Sequence, residues 1–306
     1  MGIAMTSTGE LRLGILGMSE GNGHPYSWAA IFNGYDPETM ASCPFPVIPA
    51  YLSQQKDFGG CIPGARVTHL WTQDRAVAEH VAAASLVPTV VEKFEDMIGN
   101  VDAILLARDD AENHLEMSIP FLDAGLPIYI DKPVALSVDA LDNLYKHQHF
   151  CGQLFSCSAL RFSDDLQLTP KLLAELGEVR HLQAVVPKSW EKYGVHVVEP
   201  VMNMFGLYEK ESAVRSHRFG DVHVVAVNWG TLSATFTCLG SLPGDIRIRL
   251  FGTRSQRELV FTDTYGAFKR ALQAFVDGVR SRREMIPKTQ LYGIVSILEK
   301  GMTNEV

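Results

Sequence analysis

The stretch Leu126-Pro127-Ile128-Tyr129-Ile130-Asp131-Lys132-Pro133-Val134-Ala135-Leu136-Ser137 carries the strongest signal for the fold of this chain. It predicts a short apolar strand over residues 127–130, and Ser137 is expected to cap the helix that follows. Pro133 fixes its own φ and disfavours helical geometry at Lys132, so we expect this lysine to be held at a rigid corner. Open α/β sheets bind their ligands at the carboxyl ends of their strands. Lys132 is therefore a candidate for chemistry, although most lysines are solvated surface charges.

The two halves of the chain have different patterns. The first half alternates short apolar runs with helical periodicity, which is typical of a doubly wound parallel sheet built from βαβ units. Its strands are predicted at residues 11–16, 67–71, 101–107 and 128–130. The second half predicts a largely antiparallel open sheet with strands at residues 154–160, 181–187, 223–229, 231–238 and 246–251. We place an α/β domain over residues 1–149 and an α+β domain over residues 150–306, with C-terminal helices packing back.

Residues 24–66 are longer than the connection that a simple βαβ unit needs. They are rich in proline and aromatic residues, and the aromatic content argues against disorder. We interpret them either as an ordered insertion that helps to wall a cleft or as surface padding.

Composition excludes several classes of protein. With 46% hydrophobic and 20% charged residues, the chain has an ordinary globular composition. No apolar run is long enough to span a membrane, and residues 1–10 lack the features of a signal peptide. Five scattered cysteines without metal-site spacing indicate free thiols, a cytoplasmic location and no metal. The net charge of −8 argues against a nucleic-acid partner.

A glycine-rich turn follows the first predicted strand, with the sequence Gly17-Met18-Ser19-Glu20-Gly21-Asn22-Gly23. A dinucleotide-binding turn has the pattern Gly-x-Gly-x-x-Gly, because backbone N–H groups must approach the pyrophosphate. The first glycine of the pattern is present, whereas a serine and an asparagine occupy the other two positions. The candidate cofactor contacts are Gly17, Met18, Ser19, Gly21 and Asn22. The alternative is a tight turn that serves only packing.

Several motifs in a fixed order extend the pattern along the chain. They are Val101–Ala107, His114, residues 121–125, Asp131-Lys132-Pro133, Arg161-Phe162, Gly194-Val195-His196 and Phe251-Gly252-Thr253. In this order the chain resembles the glucose-fructose oxidoreductase / inositol dehydrogenase / rhizopine catabolism (Gfo/Idh/MocA) family, with Asp131 where the family usually has glutamate. The resemblance implies a Rossmann domain, NAD or NADP as cofactor, and a small polyhydroxylated substrate. It also implies a homodimer or homotetramer formed through the open sheet.

The resemblance assigns further cofactor contacts. Thr72 aligns with the position at which an acidic residue would accept the ribose 2′-hydroxyl of NAD. A neutral residue there, with Arg75 nearby, leaves room for the 2′-phosphate of NADP, so both cofactors stay open. Ala107, Asp131 and Lys132 complete the set at the ends of two strands.

Two acidic residues, Asp109 and Asp110, follow the strand that ends at Ala107. They are interpreted either as substrate ligands or as caps of the next helix. His114 matches a family histidine that orients structure.

The second predicted site lies at Trp190-Glu191-Lys192-Tyr193-Gly194-Val195-His196-Val197-Val198-Glu199. The family pattern here is Asp-x-Gly-x-His-x-x-Asp, which His196 and Glu199 match. Lys192 replaces the first aspartate and so removes a carboxylate that would favour a protonated imidazole. By resemblance, Lys132 polarises the reacting oxygen and His196 is the acid/base. Lys192, Tyr193, Asp109 and Trp190 would shape the substrate pocket, with the indole stacking on a sugar ring.

Together these observations predict an NAD(P)-dependent oxidoreductase that transfers hydride at a secondary alcohol of a sugar, cyclitol or similar compound. Two alternatives stay open. One is a non-catalytic sensor or partner subunit on a decayed dehydrogenase scaffold, and the other is an enzyme without net redox turnover that keeps NAD tightly bound.

Overall fold

A computed structural model describes residues 9–55, 62–208, 211 and 213–303, which form two compact units. The first contains the described residues up to Asp131, together with Asn143–Phe155 and Leu272–Met285. The second contains Lys132–Asp142, Ser156–Ala271 and the described residues from Ile286 onward. The domain boundary expected near residue 149 falls inside one of these shorter segments and stays a prediction.

The first unit contains a six-stranded parallel sheet. Its strands are β1 (Leu11–Leu16), β2 (Ala65–Trp71), β3 (Thr89–Val90), β4 (Ala103–Leu106), β5 (Ile128–Ile130) and β6 (Leu154–Phe155). They lie in the order β3-β2-β1-β4-β5-β6, and every neighbouring pair is parallel. This is the strand order of a dinucleotide-binding fold, in which ligands bind where the order reverses, beside β1 and β4. Strands β4 and β5 are buried at every residue, which explains their unbroken apolar sequence. The predicted doubly wound sheet is confirmed.

Helices alternate with these strands along the chain. They are α1 (His24–Asn33), α2 (Pro37–Met40), α3 (Val47–Ser53), α4 (Arg75–Ala84), α5 (His114–Asp123) and α6 (Val138–Lys146). The unit boundary at Asp142 falls within α6.

The structure changes the interpretation of residues 24–66. Their first part is α1, the ordinary helix that follows β1, and the additional chain begins after it with α2 and α3. Residues 56–61 of the segment lie outside the described residues. Side chains at the start of α3 cover the beginning of α1, since a Cβ on Gly23 would lie 2.5 Å from Phe45 and 2.6 Å from Ile48. His80 on α4 holds the segment through Tyr26 (2.6 Å) and Ser42 (2.8 Å).

The second unit contains a mixed sheet of six strands. They are β7 (Val179–Val186), β8 (Ala213–Phe219), β9 (Val222–Asn228), β10 (Ser233–Cys238), β11 (Arg247–Gly252) and β12 (Gln256–Val260). Their order is β12-β11-β7-β10-β9-β8, and all neighbours are antiparallel except β7 and β10. Burial alternates along β9 and β10, because one face of the sheet packs against the core. The largely antiparallel sheet is confirmed.

One strand prediction is wrong. Residues 154–160 were expected to form a long antiparallel strand, but only β6 forms, and it pairs in parallel with β5 in the first sheet. The chain then makes a 3₁₀ turn at Ala159–Phe162, for which Ser158 supplies the cap by accepting the Leu160 N–H. The cap at Ser158 thus ends the strand earlier than the apolar sequence of residues 154–160 predicts.

The remaining helices are α7 (Pro170–Leu176), α8 (Trp190–Tyr193), α9 (Val195–Phe205), α10 (Thr264–Ser281) and α11 (Lys288–Thr303). In the second unit, α9 and α11 pack on each other and against strands of the sheet. In the first unit, Phe275 packs against Tyr129 and Phe155, with ring centroids 5.7 Å apart in both pairs. Among the described residues, we find no helix with the length and apolar character needed to span a bilayer.

Candidate active site

The corner after β5 holds its aspartate in a dense polar network. Asp131 is 1% exposed, and its N–H donates to the Leu106 carbonyl of the neighbouring strand at 3.0 Å. One carboxylate oxygen accepts from Asn22 Nδ2 at 2.9 Å and lies 2.5 Å from His24 Nδ1. Asp131 therefore joins the end of β5 to the turn after β1. Sequence reasoning proposed the aspartate as a cofactor contact and missed its histidine partner, whose signal was its place at the start of α1.

The turn between β1 and α1 is closed by hydrogen bonds within the protein. Asn22 N–H donates to the Ser19 carbonyl at 3.1 Å, and Gly21 has a φ of 75° with open space where a Cβ would point. Ser19 Oγ donates to Asp109 Oδ1 at 2.7 Å and accepts from the Asp109 N–H at 3.1 Å. Gln73, which the sequence did not single out, bonds both backbone groups of Met18, at 2.7 Å and 2.6 Å. These contacts fix the turn in one conformation.

The N-terminus of α1 offers few donors to a phosphate. His24 N–H donates to Asn22 Oδ1 at 2.8 Å, Pro25 has no N–H, and Tyr26 N–H donates to the Gly23 carbonyl at 3.1 Å. Gly17 is glycine because of packing, since a Cβ there would lie 2.2 Å from Pro25. Of the predicted contacts at Gly17, Met18, Ser19, Gly21 and Asn22, Gly21 has open space beside it, and Ser19 and Asn22 pair in a short antiparallel bridge.

The residues at the end of β2 are already engaged. Thr72 is buried, and its hydroxyl donates to the Asp74 carbonyl at 2.6 Å. Arg75 forms ion pairs with Glu79 at 2.7 Å and with Glu92 at 2.6 Å. Two carboxylates therefore surround the guanidinium that was considered for a 2′-phosphate.

The two aspartates after β4 have separate partners. Asp109 holds the turn through Ser19, whereas Asp110 is ion-paired with Arg108 and accepts from Asn113. Burial acts to raise the pKa of Asp110, but hydrogen bonds from these two side chains prevail and leave that pKa below its ordinary value. His114 Nε2 lies 2.8 Å from the Arg108 carbonyl, so the imidazole ties the start of α5 to the end of β4.

In the second unit, Lys132 and His196 lie against the same aromatic ring. Lys132 is 4% exposed, and its Nζ lies 5.3 Å from the centroid of Tyr193. The ring of His196 meets Tyr193 edge-on at 4.9 Å. A second ammonium, that of Lys188, lies 4.3 Å from the same centroid and donates to the phenol oxygen at 2.7 Å. The structure thus brings together two predicted catalytic residues that are far apart in sequence.

A buried polar chain supports His196 from behind. His196 Nδ1 lies 2.8 Å from Ser158 Oγ, and the Ser158 N–H donates to Glu199 Oε2 at 2.7 Å. The other carboxylate oxygen of Glu199 lies 3.5 Å from Arg161 Nη1. Burial raises the pKa of Glu199 to about 7, although Arg161 opposes the shift. Ser158, which the sequence did not indicate, stands beside the imidazole whose family partner would be a carboxylate.

Two residues predicted to line the substrate pocket differ in their surroundings. Lys192 is half-buried on α8, one residue from Tyr193. Trp190 is 0% exposed, and its Nε1–H donates to the Leu298 carbonyl at 2.9 Å. A Cβ on Gly301 would lie 2.6 Å from the indole, so the ring fills the core of the second unit. That burial does not fit the expected stacking on a sugar.

Among the described residues, no three or more histidine, cysteine or acidic side chains are grouped so that they could hold a metal ion.

Comparison with known proteins agrees with this geometry. Residues 47–156 match the family model GFO_IDH_MocA, described as an oxidoreductase family with an NAD-binding Rossmann fold. The match begins at α3 and so leaves out the turn between β1 and α1. A protein of Amycolatopsis mediterranei (strain S699) named "Putative UDP-kanosamine synthase oxidoreductase subunit" is 35% identical over 69 residues. That stretch is 22% of this chain and only 19% of the relative.

Solved structures share the fold over nearly the whole chain. The myo-inositol 2-dehydrogenase of Lactobacillus plantarum has a TM-score of 0.70 at 15% identity and covers 96% of both chains. The scyllo-inositol dehydrogenase of Lactobacillus casei with NAD(H) and scyllo-inositol has a TM-score of 0.68 at 13% identity, covering 96% of this chain and 98% of that one. GenD2 from gentamicin A biosynthesis, in complex with NAD, has a TM-score of 0.73 at 14% identity, covering 99% and 96%.

The family model, the strand order and the motifs at Asp131-Lys132-Pro133 and His196 agree with one another. The resemblance to the Gfo/Idh/MocA family of NAD-binding oxidoreductases is confirmed by the family model over residues 47–156, and the solved structures share the fold.

Proposed function

We propose that this protein transfers hydride between a nicotinamide cofactor and a secondary alcohol of a sugar, cyclitol or similar polyhydroxy compound. The observation that carries the proposal is the placement of Lys132 and His196 against the ring of Tyr193. Structural neighbours whose names include inositol dehydrogenases support this substrate class.

The first unit has features that fit a dinucleotide. Gly17 and Ala107 follow adjacent strands beside the point where the strand order reverses, which is where such folds bind their ligands. Of the residues in this unit that would hold the cofactor, Ser19, Gly21 and Asn22 form the turn after β1, and Thr72 and Asp131 follow strands β2 and β5. When bound, the nicotinamide supplies the acceptor or donor of hydride.

NAD is the cofactor that the charges favour. Glu79 and Glu92 already neutralise Arg75, and both would repel the 2′-phosphate that distinguishes NADP. We therefore infer tighter binding of NAD than of NADP.

In the proposed mechanism, residues around Tyr193 stabilise the negative charge that develops on the reacting oxygen and exchange the proton of that oxygen. The ammonium of Lys132 donates hydrogen bonds to the reacting oxygen and stabilises the negative charge that develops there. Groups that exchange its proton must come within about 3 Å of that oxygen. The family resemblance gives this exchange to His196, which can take the proton only if Nε2 carries no hydrogen; if Nε2 is protonated, Lys132 must take the proton instead. Lys192 and Tyr193 would bind neighbouring hydroxyls, whereas Trp190 is left out because it is buried, and Asp109 is assigned to the cofactor turn.

The proposal is tested by incubating the protein with NAD and a panel of cyclitols, sugars and amino sugars while NADH fluorescence is recorded. We expect steady NADH formation with at least one class of polyol. Lys132→Ala should lower kcat by about a hundredfold to a thousandfold, which is the usual effect of removing a group that stabilises developing charge.

Lys146→Ala is the matched control, because Lys146 is exposed and, within the part of the chain that the structure describes, donates only to Asn143. It should leave kcat unchanged. Equal activity of Lys132→Ala and wild type would refute the assignment of Lys132.

A partner subunit without its own redox turnover is the second candidate. Lys192 in place of the family aspartate favours it, as does the word "subunit" in the name of the Amycolatopsis relative. It predicts no NADH formation with any polyol unless a second protein is added. The other alternative is an enzyme that keeps NAD tightly bound and has no net redox turnover. It predicts that the nucleotide stays with the protein through purification.

A further inference from the structure

The hydrogen atom between Ser158 and His196 can be placed by counting donors. Ser158 is fully buried, and its hydroxyl oxygen already accepts the Leu160 N–H at 3.3 Å. Its second contact is His196 Nδ1 at 2.8 Å. Among the described residues, the Ser158 hydroxyl has no other acceptor than this nitrogen.

Two arrangements are then conceivable. If Nδ1 carries the hydrogen and donates to Ser158, the serine proton is buried without an acceptor, which is costly. If Ser158 donates to Nδ1, the serine hydrogen has an acceptor and the imidazole carries its own hydrogen on Nε2. The second arrangement prevails because it alone satisfies the buried hydroxyl.

The charges around the imidazole act in the same direction. Tyr193 on α8 lies against the His196 ring, and the ammonium groups of Lys132 and Lys188 lie against the Tyr193 ring. Glu199, on the same helix as His196, bonds the Ser158 N–H and faces the guanidinium of Arg161. The ammonium groups beside Tyr193 disfavour a further positive charge on the neighbouring imidazole, and Glu199 accepts the Ser158 N–H.

We propose that Ser158 is a positioning residue that holds His196 as the neutral tautomer with hydrogen on Nε2. In this tautomer His196 meets the reacting oxygen as a hydrogen-bond donor, so the proton exchange that the resemblance gives to His196 passes to Lys132. This inference rests on the function proposed above.

The reaction balances with these roles. When an alcohol is oxidised, the hydride leaves the carbon for the nicotinamide and the hydroxyl proton passes to the amine form of Lys132. The resulting carbonyl oxygen accepts the hydrogen bond from Nε2 of His196. In the reverse direction the ammonium of Lys132 returns the proton to the oxygen.

The test is ¹⁵N NMR of the full-length protein labelled at histidine nitrogens, with His196 assigned by the loss of its signals in His196→Gln. We expect Nδ1 to resonate as an unprotonated acceptor and Nε2 as a protonated nitrogen. Ser158→Ala should mix the two tautomers and lower kcat by about tenfold to a hundredfold with KM little changed, in proportion to the cost of the lost bond. Ser158→Thr retains the hydroxyl and should restore both readouts.

Ser163→Ala is the matched control. Ser163 is also fully buried in the second unit, and its hydroxyl has no hydrogen-bond partner among the described residues. The His196 signals should be unchanged in this variant.

Hydrogen on Nδ1 in the wild-type protein would overturn the inference, whether or not the cofactor binds. A protein that shows the Nε2–H tautomer but forms no NADH with any polyol would instead contradict the proposed function alone.

Discussion

Asp131 and Lys132 are consecutive in sequence, yet their side chains belong to two regions of different character. Asp131 is held by Asn22 and His24 in a turn where side chains and backbone bond to one another. Lys132 lies over the ring of Tyr193, which it shares with His196. The first region is a rigid support, whereas the second gathers an ammonium and an imidazole around an aromatic ring. The difference shows that two consecutive residues can have separate roles, with Asp131 stabilising the fold and Lys132 available for the reaction.

The largest expected effect concerns the support beneath Tyr193. Trp190 begins α8, which ends with Tyr193, and it is fully buried. Trp190→Ala should lower the free energy of unfolding by about 3 to 5 kcal/mol, because it removes a large buried ring and leaves a cavity. Urea denaturation followed by circular dichroism measures the change.

Trp71→Ala is the comparison for that experiment, because Trp71 is partly exposed and should cost less. If the Trp190→Ala protein were as stable as wild type but bound substrate more weakly, the prediction that the indole lines the substrate pocket would be supported instead.

The next prediction separates the two neighbours at the corner. Asp131→Ala should lower the free energy of unfolding by about 1 to 3 kcal/mol, since it leaves buried donors on Asn22 and His24 without their acceptor. Lys132→Ala, in contrast, should lose activity with little change in stability. Urea unfolding of both variants is compared with that of Asp277→Ala, in which an exposed aspartate is removed. If both corner variants lost the same stability, the division between support and chemistry would not hold.

The smallest predicted effect is a dependence of stability on pH in the second region. Burial raises the pKa of Glu199 from its ordinary value to about 7, so the folded protein binds this proton more tightly than the unfolded chain does. The stabilising contribution is fully present below the unfolded pKa of about 4.5 and is lost as pH rises through about 7. Urea unfolding of wild type and Glu199→Gln, below, within and above this window, measures it.

The glutamine variant should gain stability relative to wild type as pH rises through the window. Glu178→Gln is the control, because Glu178 is exposed and paired with Arg180. A constant difference between wild type and Glu199→Gln at all pH values would contradict the raised pKa.

The sequence was most informative about elements whose residues are close together in the chain. Buried parallel strands such as β4 appear as unbroken apolar runs, and alternation marks strands that have one exposed face, as in β9. The order of the motifs indicated the family resemblance, and the resemblance gave the roles expected of Lys132 and His196. Both kinds of signal depend on local pattern.

Side-chain pairs between distant residues could not be predicted. The bond between Ser158 and His196, and that between His24 and Asp131, join residues with no shared spacing or composition. Trp190 was misjudged because an aromatic residue beside a site has the same sequence appearance whether it lines a pocket or fills a core. Residues 154–160 were misjudged because the cap at Ser158 outweighs the strand propensity of its neighbours.

The central claim is that the first unit binds NAD through the turn after β1 although the N-terminus of α1 offers few amide donors. The most direct measurement is a titration of the folded, nucleotide-free protein with NADH and NADPH, followed by nicotinamide fluorescence. The account predicts saturable binding of NADH in the micromolar range, with NADPH bound more weakly because Glu79 and Glu92 flank Arg75. Failure of both nucleotides to bind would contradict it.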